Sequence, residues 1–163
     1  EYGHSDNMMR FQTNGSERVR IHSNGVVAAA NGIALGVGTA NTASNVLEDY
    51  EEGTFTPTWT GSSSVSVASG NYGYYTKIGN VVTVHFGAVL SSTSNSYYQI
   101  NNAPFLSNIP SGRAMGSARE YGHTGYSYRT IMGDNSNAIT IVSYVNNAIA
   151  NAYLSCSLTY RTD

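Results

Sequence analysis

The stretch Tyr72-Gly73-Tyr74-Tyr75-Thr76-Lys77-Ile78-Gly79-Asn80-Val81-Val82-Thr83-Val84-His85-Phe86-Gly87-Ala88-Val89-Leu90 decides the fold class. A run rich in aromatic and β-branched residues meets Gly79-Asn80, and a second such run follows it. In that second run Val82, Val84, Phe86, Ala88 and Leu90 occupy every other position. Successive side chains of a strand point to opposite faces, so those residues share one face, whereas a helix would scatter them around its axis. Two runs of this kind around a glycine-containing pair predict an antiparallel hairpin with one apolar side.

The same grammar extends in both directions. Thr54-Phe55-Thr56-Pro57-Thr58-Trp59-Thr60 alternates, with Phe55, Pro57 and Trp59 on one side. Pro57 cannot donate to a ladder, which predicts an edge strand or a strand start. Further strands are predicted at 64–68, 97–101, 114–118, 126–132, 138–144 and 152–161. Roughly eight or nine strands over about 110 residues predict an all-β, antiparallel β-sandwich, jelly-roll-like, as the head at residues 54–163.

Residues 1–45 read differently. Met9–Gln12, Glu17–His22, Val26–Ala30 and Ile33–Leu35 are short strand candidates separated by Asn14-Gly15, Asn24-Gly25 and Asn31-Gly32. Asn-Gly between apolar runs is a strong turn signal. Each of these strands carries few apolar side chains, too few for a free-standing sheet. Such segments are stabilised when several chains close a shared apolar axis, which predicts the end of an interwoven, trimeric fibre shaft. Residues 46–53 are expected as a neck or linker, with one or two helical turns in the polar stretch from Thr39 to Tyr50 and an acidic run, Glu48-Asp49-Tyr50-Glu51-Glu52, as a solvated face. A calcium site there lacks the loop pattern that such sites need.

Composition fits this plan. Of the 163 residues 11% are charged, against about a quarter in average proteins, while 40% are apolar and 13 are tyrosine. That is enough apolar side chain to build a core, which separates the chain from disordered sequences. Leu154, Cys156 and Leu158 alternate onto one face, so the single cysteine reads as a small buried hydrophobe. No apolar run reaches the ~20 residues of a membrane-spanning helix. The chain opens Glu1-Tyr2-Gly3-His4 without methionine, which predicts a longer parent protein. From Gly53 to Thr162 two acids (Glu120, Asp134) stand against five bases (Lys77, Arg113, Arg119, Arg129, Arg161), a mildly basic segment suited to an acidic glycan.

Several segments resemble tail fibre proteins of marine phages. Met9-Arg10-Phe11-Gln12-Thr13-Asn14-Gly15-Ser16-Glu17-Arg18-Val19-Arg20-Ile21 with Ser23-Asn24-Gly25 looks like the shaft of such fibres. Leu47-Glu48-Asp49-Tyr50-Glu51-Glu52-Gly53-Thr54-Phe55-Thr56-Pro57 resembles the boundary where their distal domain begins. Tyr75-Thr76-Lys77-Ile78-Gly79-Asn80-Val81-Val82 is similar to a segment of the same heads, and Leu158-Thr159-Tyr160-Arg161-Thr162-Asp163 to their C-terminal ending. Residues 91–150 carry no such likeness. The resemblance implies a homotrimeric virion protein, continuous with an upstream fibre shaft, whose extracellular tip binds a host receptor (glycan or outer-membrane protein) and catalyses nothing. Two other classes stay open at this point: a structural or capsid-decorating protein without a ligand, and a polysaccharide hydrolase.

Motifs for chemistry are sparse. His4, His22, His85 and His123 are far apart and show no metal-ligand spacing, although His22 is the residue best placed to meet its copies on a symmetry axis. Glycosidase chemistry needs two flanking carboxylates, for which the head offers Glu120 and Asp134. No cofactor, resident metal or nucleic-acid partner is expected, because eight scattered bases form no patch. Sugars are held by aromatic faces together with polar groups on their hydroxyls. Arg113, Arg119, Glu120, Tyr121, His123 and Tyr126 supply that mixture within one glycine-rich segment, and Tyr97-Tyr98 is a second candidate. An exposed loop at Arg119–His123 is expected, with Tyr128 alternating beside Tyr126 in a strand.

Overall fold

The computed structural model describes residues 7–35, 46–47, 49–91, 97–143 and 152–163. The chain divides into two compact units, Glu1–Asp49 and Tyr50–Asp163. The boundary falls inside the expected linker. All regular structure among the described residues is β.

In the first unit β1 (Met9–Thr13), β2 (Ser16–Ile21) and β3 (Val27–Ala29) form an antiparallel meander. Asn14 and Gly15 link the first two with φ of 51° and 74°. Paired positive φ values are what a tight hairpin turn of this hand demands, and Asn-Gly supplies them at least cost. Glu17 holds Arg20 through two hydrogen bonds of 2.6 and 2.7 Å, and the Arg10 guanidinium lies 3.4 Å away. A two-residue pair, β4 (Ile33–Ala34) with β5 (Val46–Leu47), completes the unit. No described residue of this unit is buried, and Phe11, Val27, Ile33 and Leu35 are more than half exposed. The helical turns expected between Thr39 and Tyr50 are replaced, at Val46–Leu47 and at Tyr50, by strand. Residues 39–45 and 48 of that expectation lie outside the described residues, as does His4.

The second unit contains β6 (Tyr50–Thr54), β7 (Trp59–Gly61), β8 (Val67–Ile78), β9 (Val81–Leu90), β10 (Tyr97–Ile100), β11 (Ala114–Glu120), β12 (Ser127–Met132), β13 (Ile139–Ser143) and β14 (Tyr153–Arg161). They form one antiparallel sheet in the order β6-β8-β9-β14-β11-β12-β13-β10-β7. Its strands begin at Tyr50, earlier than the expected head at 54. The predicted hairpin is present: Ile78 faces Val81 across Gly79-Asn80, with Gly79 at φ 55°. The segment predicted at 54–60 is broken at Phe55–Thr58, where Pro57 removes a donor, and it resumes as β7. The last strand, β14, inserts between β9 and β11 and pairs with β9 along its whole length.

The nine strands make a single ladder that curls around one core. Its ends are tied to each other: the Trp59 indole N–H donates to Asn71 Oδ1 at 3.0 Å and Asn71 Nδ2 donates to the Pro57 carbonyl at 3.0 Å, while the Phe55 amide prolongs the β6–β8 pairing by donating to the Gly73 carbonyl at 2.9 Å. Inside lie the five alternating residues of β9, Leu154, Cys156, Leu158 and Tyr160 of β14, Met132 of β12, Ile139 and Ile141 of β13, and Tyr98 and Ile100 of β10. Cys156 is buried as the alternation predicts, and burial pushes its thiol above the ordinary range.

Candidate functional site

Glu120 is the last residue of β11 and the organising point of the site. Counting from buried Ala118 with period two, Glu120 must point inward, and its side chain is 0% exposed. A carboxylate removed from water needs its lone pairs filled. The chain meets that need by folding the next residues around it. Oε1 accepts the backbone N–H groups of Gly122 (2.7 Å) and His123 (2.9 Å). Oε2 accepts those of Thr124 (2.6 Å) and Gly125 (3.0 Å), and the Thr124 hydroxyl at 2.9 Å. Burial works against the ionised form, but these donors outweigh it and hold the carboxyl at about 2. The loop is closed by the Glu120 N–H donating to the Tyr126 carbonyl at 2.9 Å.

Two glycines permit this wrap. Gly125 takes φ 68°, and a Cβ on Gly122 would lie 2.3 Å from the Tyr153 ring. Tyr153 in turn packs edge-on against Tyr121 (5.9 Å between centroids) and His123 (5.4 Å). The loop therefore shows Tyr121 (62% exposed), His123 and Tyr126 to solvent on a fixed frame.

Beside the loop, the outer face of the sheet carries a trough of about 440 Å³. Register explains it. His85, Ser157, Ser117 and Arg129 face one another across β9, β14, β11 and β12, and the next row is Gly87, Ser155, Arg119 and Ser127. The floor is shallow because the outward residues of β14 and β11 here are serines. One wall is aromatic: the Tyr72 ring lies over Gly87, its hydroxyl meets Ser155 Oγ at 3.3 Å, and Tyr74 packs 5.8 Å from it. Arg119 and Tyr121 form the other wall. Gly116 of β11 lets the Thr130 hydroxyl of β12 cross to the Ser157 carbonyl of β14 at 3.0 Å from the core side, which ties β12 to β14 beneath the trough.

The predicted residues separate on this frame. Arg119, Tyr121, His123 and Tyr126 come together. Arg113 is exposed but precedes the opposite end of β11, about 20 Å away at some 3.3 Å per residue. Tyr97 shares the Arg129 row two strands further on. Two expectations are corrected: Glu120 is turned inward and saturated by its own loop, and Tyr98 is 1% exposed, packed in the core opposite Ile141. The carboxylate pair also fails to assemble, because Asp134 follows the far end of β12 and accepts the Ile109 N–H at 2.7 Å. Among the described residues no group of three or more metal-ligating side chains occurs. His85, Ser117, Ser155 and Ser157 line the trough, Tyr72 and Tyr74 adjoin it, and no motif marks any of them. No family profile, curated protein or solved structure matches the chain.

Proposed function

We propose that this chain is the distal tip of a phage tail fibre, an extracellular virion component that attaches the particle to a host-cell receptor without catalysis. The observation that carries the reading is the pairing of a rigid loop with an adjoining trough. Aromatic, basic and hydroxyl groups are displayed together on a scaffold that does not need to rearrange to present them. Recognition placed on loops above a rigid sheet is the usual solution for a binding protein. That no described residue of the first unit is buried supports assembly with two identical chains, which would cover Phe11, Val27, Ile33 and Leu35 and continue into an upstream shaft. In this reading the curled sheet serves as a jelly-roll-like sandwich head, its two halves facing each other across the core. The receptor is a surface glycan or an outer-membrane protein.

The test is adsorption of the purified full chain to cells of marine bacteria. Saturable binding that is competed by isolated surface polysaccharide or outer-membrane extract is expected. Absence of binding to every strain in a broad panel, by a chain shown to be folded and assembled, overturns the receptor reading and leaves a fibre without a ligand.

A further inference from the structure

We infer that the trough between Tyr72 and Arg119 is a binding site for an acidic glycan; the inference rests on the receptor-binding reading above and names its ligand class. The chemistry of the surface selects it. β14 is an inner strand of the sheet, yet its outward positions from 155 to 159 are Ser155, Ser157 and Thr159, with Arg161 following at its end. Thr159 continues across to the Thr83 hydroxyl at 3.0 Å, and Ser117 extends the stripe onto β11. Such a row offers donors and acceptors at strand spacing, which matches a ligand that is itself lined with hydroxyls. Tyr72 and Tyr74 on one side and Tyr121 on the other supply faces for the C–H surfaces of sugar rings. An apolar protein surface would find little to bury on this serine floor.

Charge narrows the class. The outward positions of β9, β14, β11 and β12, and all of the loop from Tyr121 to Tyr126, hold no acid, whereas Arg119, Arg129 and His85 border the floor. The Glu120 carboxylate faces inward and is enclosed by five donors, and Glu52 lies beyond Tyr74 in a separate hollow on β6. Among the described residues Arg119 forms no ion pair, and its guanidinium lies along Gly125 at the trough rim. A carboxylate or sulfate on the ligand would take that fork.

The experiment measures binding of the full chain to three polymers of similar length: polygalacturonate, a sulfated galactan and a neutral galactan. Single-stranded DNA serves as a non-sugar polyanion. Binding to one or both acidic glycans, weak binding to the neutral polymer and a marked fall with salt are expected; which acidic polymer binds identifies the anionic group. Arg119→Gln should weaken binding at least about tenfold, Ser117→Tyr should abolish it by filling the floor, and Arg113→Gln should leave it unchanged. Should Ser117→Tyr fail to fold, Arg119→Gln decides alone. Equal binding to neutral and acidic polymers, or equal binding to DNA, overturns the inference, as does binding indifferent to both trough variants. If no polymer binds while cells still adsorb the chain, the inference falls and the receptor reading stands; if adsorption is absent as well, both fall.

Discussion

Trp59, on the strand at one end of the nine-stranded sheet, donates its indole N–H at 3.0 Å to Asn71, on the strand next to the other end. Through this bond the sheet is closed on itself without a shared ladder. Asn71 serves both directions, since its amide also donates to the Pro57 carbonyl.

That seam should be a measurable part of stability. Asn71→Ala strands a donor and an acceptor at once and is expected to cost about 1–3 kcal/mol. Trp59→Ala also removes the ring that packs 5.9 Å from Phe86 and should cost about 3–5 kcal/mol. Urea denaturation of both variants checks this; an Asn71→Ala midpoint equal to wild type would show that the ends are held by other contacts.

Glu120 makes the loop sensitive to acid in a defined direction. Its carboxyl is held at about 2 when folded, below the ordinary value of 4.5. It therefore contributes fully above about pH 4.5, and the contribution is lost as pH falls through about 2, amounting to roughly 3 kcal/mol in all. Glu120→Gln, which points an NH₂ at a ring of donors, should lose a comparable amount at pH 7 and should lack this acid-dependent slope. Unfolding free energies measured from pH 2 to pH 7 on both proteins decide the matter.

Cys156 should behave as a hydrophobe with a latent thiol. Burial in the core and a raised pKa predict no reaction with an alkylating reagent in native buffer and full reaction in denaturant. Cys156→Ser should cost about 1–3 kcal/mol for a hydroxyl placed in an apolar layer. Rapid native labelling would contradict the packing described for β14.

The two units should respond differently to separation. Residues 50–163 carry a complete core and are expected to fold as a stable monomer when produced alone, whereas the full chain is expected to be a trimer by light scattering. A full chain that remains monomeric, with its first unit protected from protease, would refute the assembly argument.

Local pattern made much of this legible, and distance in sequence hid the rest. The period-two alternation from Val82 to Leu90 and from Leu154 to Tyr160 locates two long inner strands, and Asn14-Gly15 and Gly79-Asn80 locate the β1–β2 and β8–β9 hairpins. The insertion of β14 between β9 and β11 is a non-local pairing that leaves no mark on either segment alone. The chemistry of Glu120 and Tyr98 points to the surface. The same alternation that worked elsewhere places Glu120 with Ala118, and Tyr98 with Ile100, on the inward face. The trough escaped motif reading for another reason. It is assembled from residues between His85 and Ser157 on several strands, and its decisive members are serines, whose role is to be small.

The manner in which Glu120 grips its loop separates the loop's shape from its surface chemistry. Four of its five bonds go to main-chain N–H groups, which every residue except proline possesses. The side chains at 121, 123 and 126 can therefore be exchanged while the frame that holds them is retained. Gly122, Thr124 and Gly125 fix the shape, and the remaining positions are free to vary. If the proposed receptor-binding role holds, a change of ligand would require only substitutions that leave the folding intact.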